Sequence, residues 1–174
     1  QHISEDGLKL LTSLEGKVTD KEDKHVVYDD KTGKKINDVS ELQGTATIGY
    51  GIALDKSDIE NYKNGITESE AVELLKQKIP EYEKTINDKI KVPLKQNEFD
   101  ALVILNFNIG SENFGKSSLK NMINDPNTSN TNYKTLEDAW KAFHRANGEP
   151  HKLDDRRDAE WRLYKDSDYS GYKK

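Results

Sequence analysis

In the stretch ISEDGLKLLTSLEGK, residues 3–17, a glutamate stands at the end of a leucine-rich helical pattern with a glycine after it. Ser4 is a good N-cap, Ile3 and Leu8 are placed as a hydrophobic staple across it, and Gly16 suits the C′ position. The pattern predicts a helix over 4–15. At about 100° per residue, Glu15 falls between Leu11 and Leu8 on the helical wheel, away from Lys9 and Ser13. It also lies in the last turn, at the negative end of the helix dipole. Apolar surroundings and a negative neighbour both favour the protonated acid, the form that can donate a proton. A frayed helix end whose glutamate swings to solvent is the plainer reading of the same residues. Two later segments offer partners. YDDKTG (28–33) puts Asp29 and Asp30 at a strand–turn junction, and TIGYG (47–51) puts Thr47 ahead of Gly49 and Gly51. Taken alone, the aspartates are ordinary turn formers, and the glycines allow a bulge or close packing.

The elements that must position these groups can be read from local patterns. HVVYDD (25–30), TGKKI (32–36) and TATIGYGIAL (45–54) are rich in Val, Ile, Thr and Tyr, and each is predicted as a short strand. Residues 67–90 read as one long helix, with a capping box from Thr67 and Glu70 and a stripe through Leu75, Ile79, Tyr82, Ile86 and Ile90. Pro80 is expected to kink or split it. FDALVILNFNIG (99–110) is apolar nearly all round, as a central helix is. NDPNTSNTNYK (124–134) is a polar loop, LEDAWKAFHRA (136–146) and DDRRDAEWRLY (154–164) are helices, and the tail SDYSGYKK is ordered only if it docks. An αβ lobe and a helical lobe joined by one helix leave a cleft, a common ligand site.

Composition narrows the function. The chain has 174 residues, enough for one domain or two small lobes, and is 33% apolar and 34% charged, polar yet well supplied with Leu, Ile, Tyr and Phe. Its formal charge of −5 argues against nucleic acid as the main partner. With no cysteine, disulfides and thiol chemistry are excluded. No apolar run approaches membrane-spanning length. His2, His25, His144 and His151 show no metal spacing, and YDDKTGKKINDV has Tyr28 and Val39 where a calcium loop needs its first and last ligands, so no metal is expected. A first residue of Gln rather than Met suggests a processed chain or a domain cut from a longer one.

SLEG, YDDKTG, TIGYG, EFDALVILNFNIG and RRDAEWRLY together resemble the phage-type lysozymes, glycoside hydrolase family 24. They occur in the family's order and cover most of the chain. The resemblance implies a lysozyme-like, mostly helical α+β fold forming one domain over 1–174. Its N-terminal lobe would span about 14–66 with a small antiparallel sheet, its connecting helix about 67–90, and its helical lobe about 91–174, with helix 4–15 bridging to the last. The implied activity is inverting hydrolysis of the β-1,4 bond between N-acetylmuramic acid and N-acetylglucosamine in bacterial peptidoglycan. Glu15 matches the general acid, Asp30 the aspartate that activates the attacking water, and Thr47 the residue that helps hold that water. Gly49 and Gly51 in TIGYG, and Asn108 in FNIG, match positions on the substrate side. Arg156 matches the arginine that pairs with the catalytic glutamate, a contact that opposes the protonated acid. Glycoside cleavage needs two carboxyl groups in unlike environments, which an apolar helix face and a polar turn supply.

The implied partner is the glycan strand, met by a monomer without cofactor in the wall or periplasm of a target bacterium. Holin release, a phage tail or a secretion system would deliver it, and an immunity or inhibitor protein fits the last of these. Two other readings are a lytic transglycosylase on the same fold, for which a base carboxylate is dispensable, and an inactive wall-binding module. Two segments depart from the family. VTDKEDKH (18–25) and KKINDVSELQG (34–44) read as insertions, so that fourteen residues separate Glu15 from Asp30 and sixteen separate Asp30 from Thr47. Extra loop length costs little when the loop ends stay in place. Ile52 stands where the family often has His.

The 32 acidic against 27 basic residues carry a consequence for reach, because bacterial walls are rich in phosphate and carboxylate. Lysine in place of several exposed acids, away from Glu15 and Asp30, should raise activity on whole cells at low salt and leave turnover of a short soluble glycan unchanged. The gain should shrink as added salt shortens the screening length to about 8 Å. Equal whole-cell activity of the two proteins at low salt would exclude charge as the barrier.

Overall fold

The computed structural model describes residues 1–144 and 149–173. The chain divides into two compact units, one of residues 15–78 and one of residues 1–14 with 79–174. Among the described residues the fold is α+β and mostly helical, with one three-stranded antiparallel sheet in the order β1 (Tyr28–Asp29), β2 (Ala46–Ile48), β3 (Ile52–Ala53). The helices are α1 (Glu5–Leu14), α2 (Glu68–Lys89), α3 (Gln96–Ile109), α4 (Ser111–Gly115), α5 (Ser118–Asn124), α6 (Leu136–Lys141) and α7 (Asp154–Asp166).

In the 15–78 unit the strands are shorter than their composition predicts. TATIGYGIAL is a hairpin rather than one strand, because Gly49 (φ 64°) and Gly51 (φ 75°) take left-handed conformations that reverse the chain between β2 and β3. TGKKI forms no strand; it meets the sheet through the Tyr28–Lys35 bridge and the flanking bonds Asp29 N to Lys34 O (2.9 Å), Gly33 N to Asp29 O (2.8 Å) and Ile36 N to Val27 O (3.1 Å). Both insertions are tied down by carboxylates of their own. Asp20 Oδ1 accepts the N–H groups of Glu22 (2.8 Å) and Lys24 (3.0 Å), and the segment closes through the Thr19–His25 bridge. In the second, Glu41 Oε1 accepts the N–H groups of Asn37 (2.9 Å) and Asp38 (3.0 Å), capping a 3-10 turn at Val39–Glu41.

The far end of that second insertion is held by Asp29. Its carboxylate is fully buried and accepts three backbone N–H groups, from Gln43 (2.7 Å), Lys31 (2.9 Å) and Gly44 (3.1 Å). A Cβ at residue 44 would strike the Asp30 carboxylate and come within 2.9 Å of Asp29 Oδ1, so the position requires glycine. Led by the Gln43 bond, and opposed by burial, these N–H groups hold the Asp29 carboxyl below its ordinary value of 3.8.

The other unit is built on α3. Phe99 through Asn106 are all buried, and the helix packs on α7, α1 and α4, while α6 packs on α5 and α7. Each fully buried Leu or Ile here contributes about 1.5–3 kcal/mol of hydrophobic stabilisation. α2 begins with the expected capping box, Glu70 N–H to Thr67 Oγ1 at 3.1 Å and Thr67 N–H to Glu70 Oε1 at 3.0 Å. It is not split at Pro80: the helix runs through, with Leu75, Ile79, Glu83 and Ile86 buried on either side. Asp100, fully buried on α3, accepts Ser4 N–H (3.0 Å), the Ser4 hydroxyl, Gln96 Nε2 (2.8 Å) and the Tyr169 hydroxyl (2.8 Å). One carboxylate thus fixes the start of α1 and the C-terminal tail, which does dock. Gly7 is glycine because a Cβ there would sit 2.7 Å from that carboxylate. Ser4 caps α1 as predicted, its Oγ accepting Gly7 N–H at 3.0 Å. At the other end α1 stops at Leu14, one residue before Glu15, and Gly16 does not take the left-handed C′ conformation.

The unfolded chain protonates Asp29 at a higher pH than the folded one. Its contribution to stability is therefore complete above about pH 4 and lost as pH falls through the lower, folded value. Asp29→Ala should lower the midpoint of thermal unfolding by roughly 5–10 °C at pH 7. The gap to wild type should narrow as the pH falls below 4, measured by circular dichroism; a gap that widens there contradicts this account.

Candidate active site

Five of the predicted residues, Glu15, Asp30, Thr47, Gly49 and Gly51, lie in the 15–78 unit. β1 and β2 pair with Tyr28 opposite Thr47 and Asp29 opposite Ala46. Asp30 N–H donates to Thr45 O (3.1 Å), carrying the ladder one step further, and Thr45 N–H returns to Asp30 Oδ1 (2.7 Å). Side chains alternate along a strand, so Tyr28, Asp30, Thr45 and Thr47 share one face while Asp29 and Ala46 take the other. Asp30 is exposed and Asp29 is not. Thr47 is buried, and its hydroxyl donates to Thr45 O (3.1 Å), which leaves the lone pairs of Oγ1 for another donor.

Glu15 is half-buried. Tyr28 reports where it stands: burial first, then the negative charges of Glu15 and Asp30, push the phenol up to about 12. Coulomb energy falls with distance, so both carboxylates lie near that one ring. Tyr28 is the member that sequence reasoning passed over. The signal was present, since a residue two before Asp30 on an extended strand must share its face.

Gly49 and Gly51 shape the turn between β2 and β3, and a Cβ at residue 49 would touch Ala71 Cβ of α2 at 3.4 Å. Between them, Tyr50 donates its hydroxyl to Glu68, the first residue of α2, and His25 Nε2 meets the same carboxylate at 2.7 Å. His25, fully buried, lies edge-on to Tyr50 with ring centroids 5.1 Å apart. Burial raises the Glu68 carboxyl, but the bonds from His25 and Tyr50 outweigh it and hold the group low. This brace was not foreseen. Ile52, in place of the family's His, is buried opposite Ile48.

Asn108 and Arg156 belong to the other unit. Read alone, Arg156 and Arg157 look like surface charges, yet both are buried on α7 beside a fully buried Glu160. Arg156 Nε bonds Glu160 Oε2 (2.9 Å) and its Nη2 bonds Ile104 O (3.1 Å). Arg157 Nη1 bonds both Glu160 oxygens (2.8 Å each), its Nε bonds Phe143 O (2.6 Å), and its Nη2 reaches the exposed Asn108. Trp140 Nε1 completes the set on Glu160 at 3.1 Å. Burial pulls the Arg157 guanidinium down, and the Glu160 charge opposes it. YDDKTGKKINDV does not form a calcium loop, since Asp29 spends its oxygens on backbone N–H groups. Among the described residues His144, His151 and Asp154 do gather, against the expectation from spacing.

The sequence pattern of the phage lysozyme family matches residues 30–160. The endolysin of Salmonella phage P22 is 34% identical over 134 residues, which cover 76% of this chain and 88% of that protein. The endolysin of Escherichia coli O157:H7 phage FAHEc1 has a similar structure, with a TM-score of 0.70 at 25% identity, covering 100% of this chain and 98% of the other. The muramidase domain of SpmX from Asticaccaulis excentricus gives 0.66 at 25% identity over 95% of this chain and 99% of that domain. With a matching family pattern over most of its length and the lysozyme fold around it, the chain belongs to the phage lysozyme family and is a peptidoglycan-hydrolysing enzyme.

Proposed function

We propose that the enzyme is a muramidase acting on the β-1,4 bond between N-acetylmuramic acid and N-acetylglucosamine with inversion, as one lysozyme domain. Glu15 gives its proton to the glycosidic oxygen as that bond breaks. Asp30 takes a proton from a water whose oxygen bonds to the anomeric carbon from the opposite side, and Thr47 Oγ1 accepts the water's other hydrogen. The observation that carries this reading is the shared face of Tyr28, Asp30 and Thr47, with Glu15 electrostatically close to the same phenol. Asp30 suits the base because it is exposed and anchored through one oxygen only, by Thr45 N–H. Asp29 does not, because three N–H groups already occupy its carboxylate. Substrate-side roles for Gly49, Gly51, Asn108 and Arg156 rest on the family resemblance. The place of action is the cell wall of a target bacterium. No described helix is long and apolar enough to cross a membrane.

Glu15→Gln should lower hydrolysis of purified walls by about 10²–10⁴ with an unchanged circular dichroism spectrum. Activity within a few-fold of wild type, in folded protein, removes Glu15 from the mechanism. Asp30→Ala should be comparably inactive yet as stable as wild type, the reverse of Asp29→Ala, whose defect is stability. Product analysis checks the outcome at the sugar: inverted reducing ends are expected, whereas anhydro ends together with an active Asp30→Ala protein would replace hydrolysis by transglycosylation.

A further inference from the structure

We infer that His144, His151 and Asp154 form a surface site for a divalent transition-metal ion of the zinc class, in the helical unit where α6 gives way to α7. One nitrogen or oxygen from each residue lies within 4.8 Å of the other two. His151 Nδ1 is 3.1 Å from Asp154 Oδ2, close to the roughly 3.3 Å edge of a tetrahedral site with zinc bonds near 2.0–2.1 Å. His144 Nδ1 accepts the His151 N–H at 3.4 Å, a long bond that a metal displaces at little cost. The two rings stack with centroids 4.9 Å apart. A bound ion lies in the plane of each imidazole that holds it, so one ring must turn, and His151, 70% exposed, has the room.

The backbone keeps the ligands together. Leu153 N–H bonds His144 O at 3.0 Å, and Asp154 N–H bonds His151 O at 3.3 Å. His151 itself has φ 71°, a left-handed conformation that is costly for a non-glycine residue and is often found where function requires the turn. Charge favours a cation. Asp155 and Asp158 line the same concavity, and the two cations there are already engaged, Lys141 with Glu137 (2.6 Å) and Arg157 with Glu160 (2.8 Å). Two imidazoles and one carboxylate, with a fourth position left for water, suit zinc rather than magnesium or calcium, which take oxygen ligands. Such an ion would join the end of α6 to the first turn of α7, independently of the hydrolytic reaction.

The test is a zinc chloride titration of the untagged, metal-free protein by calorimetry, with thermal unfolding measured in parallel. One ion per chain is expected, with the unfolding midpoint raised by roughly 5 °C or more at a hundred-fold excess over Kd. His151→Gly keeps the left-handed backbone and removes the ligand; it should stay folded and lose affinity by about ten-fold or more, as should Asp154→Asn. His2→Ala should bind as wild type does. No saturable binding up to about 100 μM zinc, wild-type affinity in His151→Gly, or loss of binding in His2→Ala would each overturn the site.

Discussion

Successive side chains of an extended strand point to opposite faces, and in the three residues Tyr28, Asp29 and Asp30 that alternation sorts neighbouring groups into two environments. A carboxylate turned inward is tolerated only when it is fully hydrogen-bonded. Asp29 meets the condition with backbone N–H groups of Lys31, Gln43 and Gly44. That choice organises the chain from Lys31 to Thr47. The amides of 43 and 44 must reach the buried oxygens, residue 44 must lack a side chain, and Thr45 is left beside Asp30, where its N–H takes the exposed carboxylate. The inward acid therefore fixes the loop that orients the outward acid, and the same register sets Thr47 opposite Tyr28. The insertion between β1 and β2 is accommodated because Asp29 holds its far end while Glu41 caps a turn within it.

The helical unit relies on a second form of the same rule. On α7, Arg156 and Arg157 lie four and three residues before Glu160, so all three side chains gather on one helical face. That face is buried, and other guanidinium donors reach Ile104 O on α3, Phe143 O and Asn108. Removing one partner from a buried network of this kind costs about 3–5 kcal/mol, because it strands a charge in an apolar setting. The gain is directional. Apolar packing of α7 on α3 would tolerate sliding, whereas a guanidinium bonded to one named carbonyl does not. Asp100 plays the equivalent part for α1 and the tail, joining Ser4 and Tyr169 through a single carboxylate. Burial, then the bond to Asp100, pushes the Tyr169 phenol up to about 12, so that it remains a hydrogen-bond donor across the ordinary pH range.

Helices were legible in the sequence where their signals are local. Thr67 with Glu70, and the apolar run Ala101–Leu105, lie within a turn or two of the structure they specify, and both helices stand where the pattern places them. The order of Glu15, Asp30 and Thr47, on which the proposed mechanism rests, is likewise visible in the sequence. Other features depend on partners remote in the chain. Val, Ile, Thr and Tyr persist through TATIGYGIAL, so composition cannot show the reversal that two positive-φ glycines make there. Nothing in DD tells the two aspartates apart until the register with Thr45–Thr47 is known. Arg156 and Arg157 look exposed until Glu160, Trp140 and the α3 carbonyl enclose them, and His144 and His151 look unrelated until their rings are seen to stack. The sequence by itself determined which groups are available and which segments coil. Tertiary structure alone decided which charges are buried and what they touch, because desolvation and electrostatic pairing are set by distance in space, not along the chain.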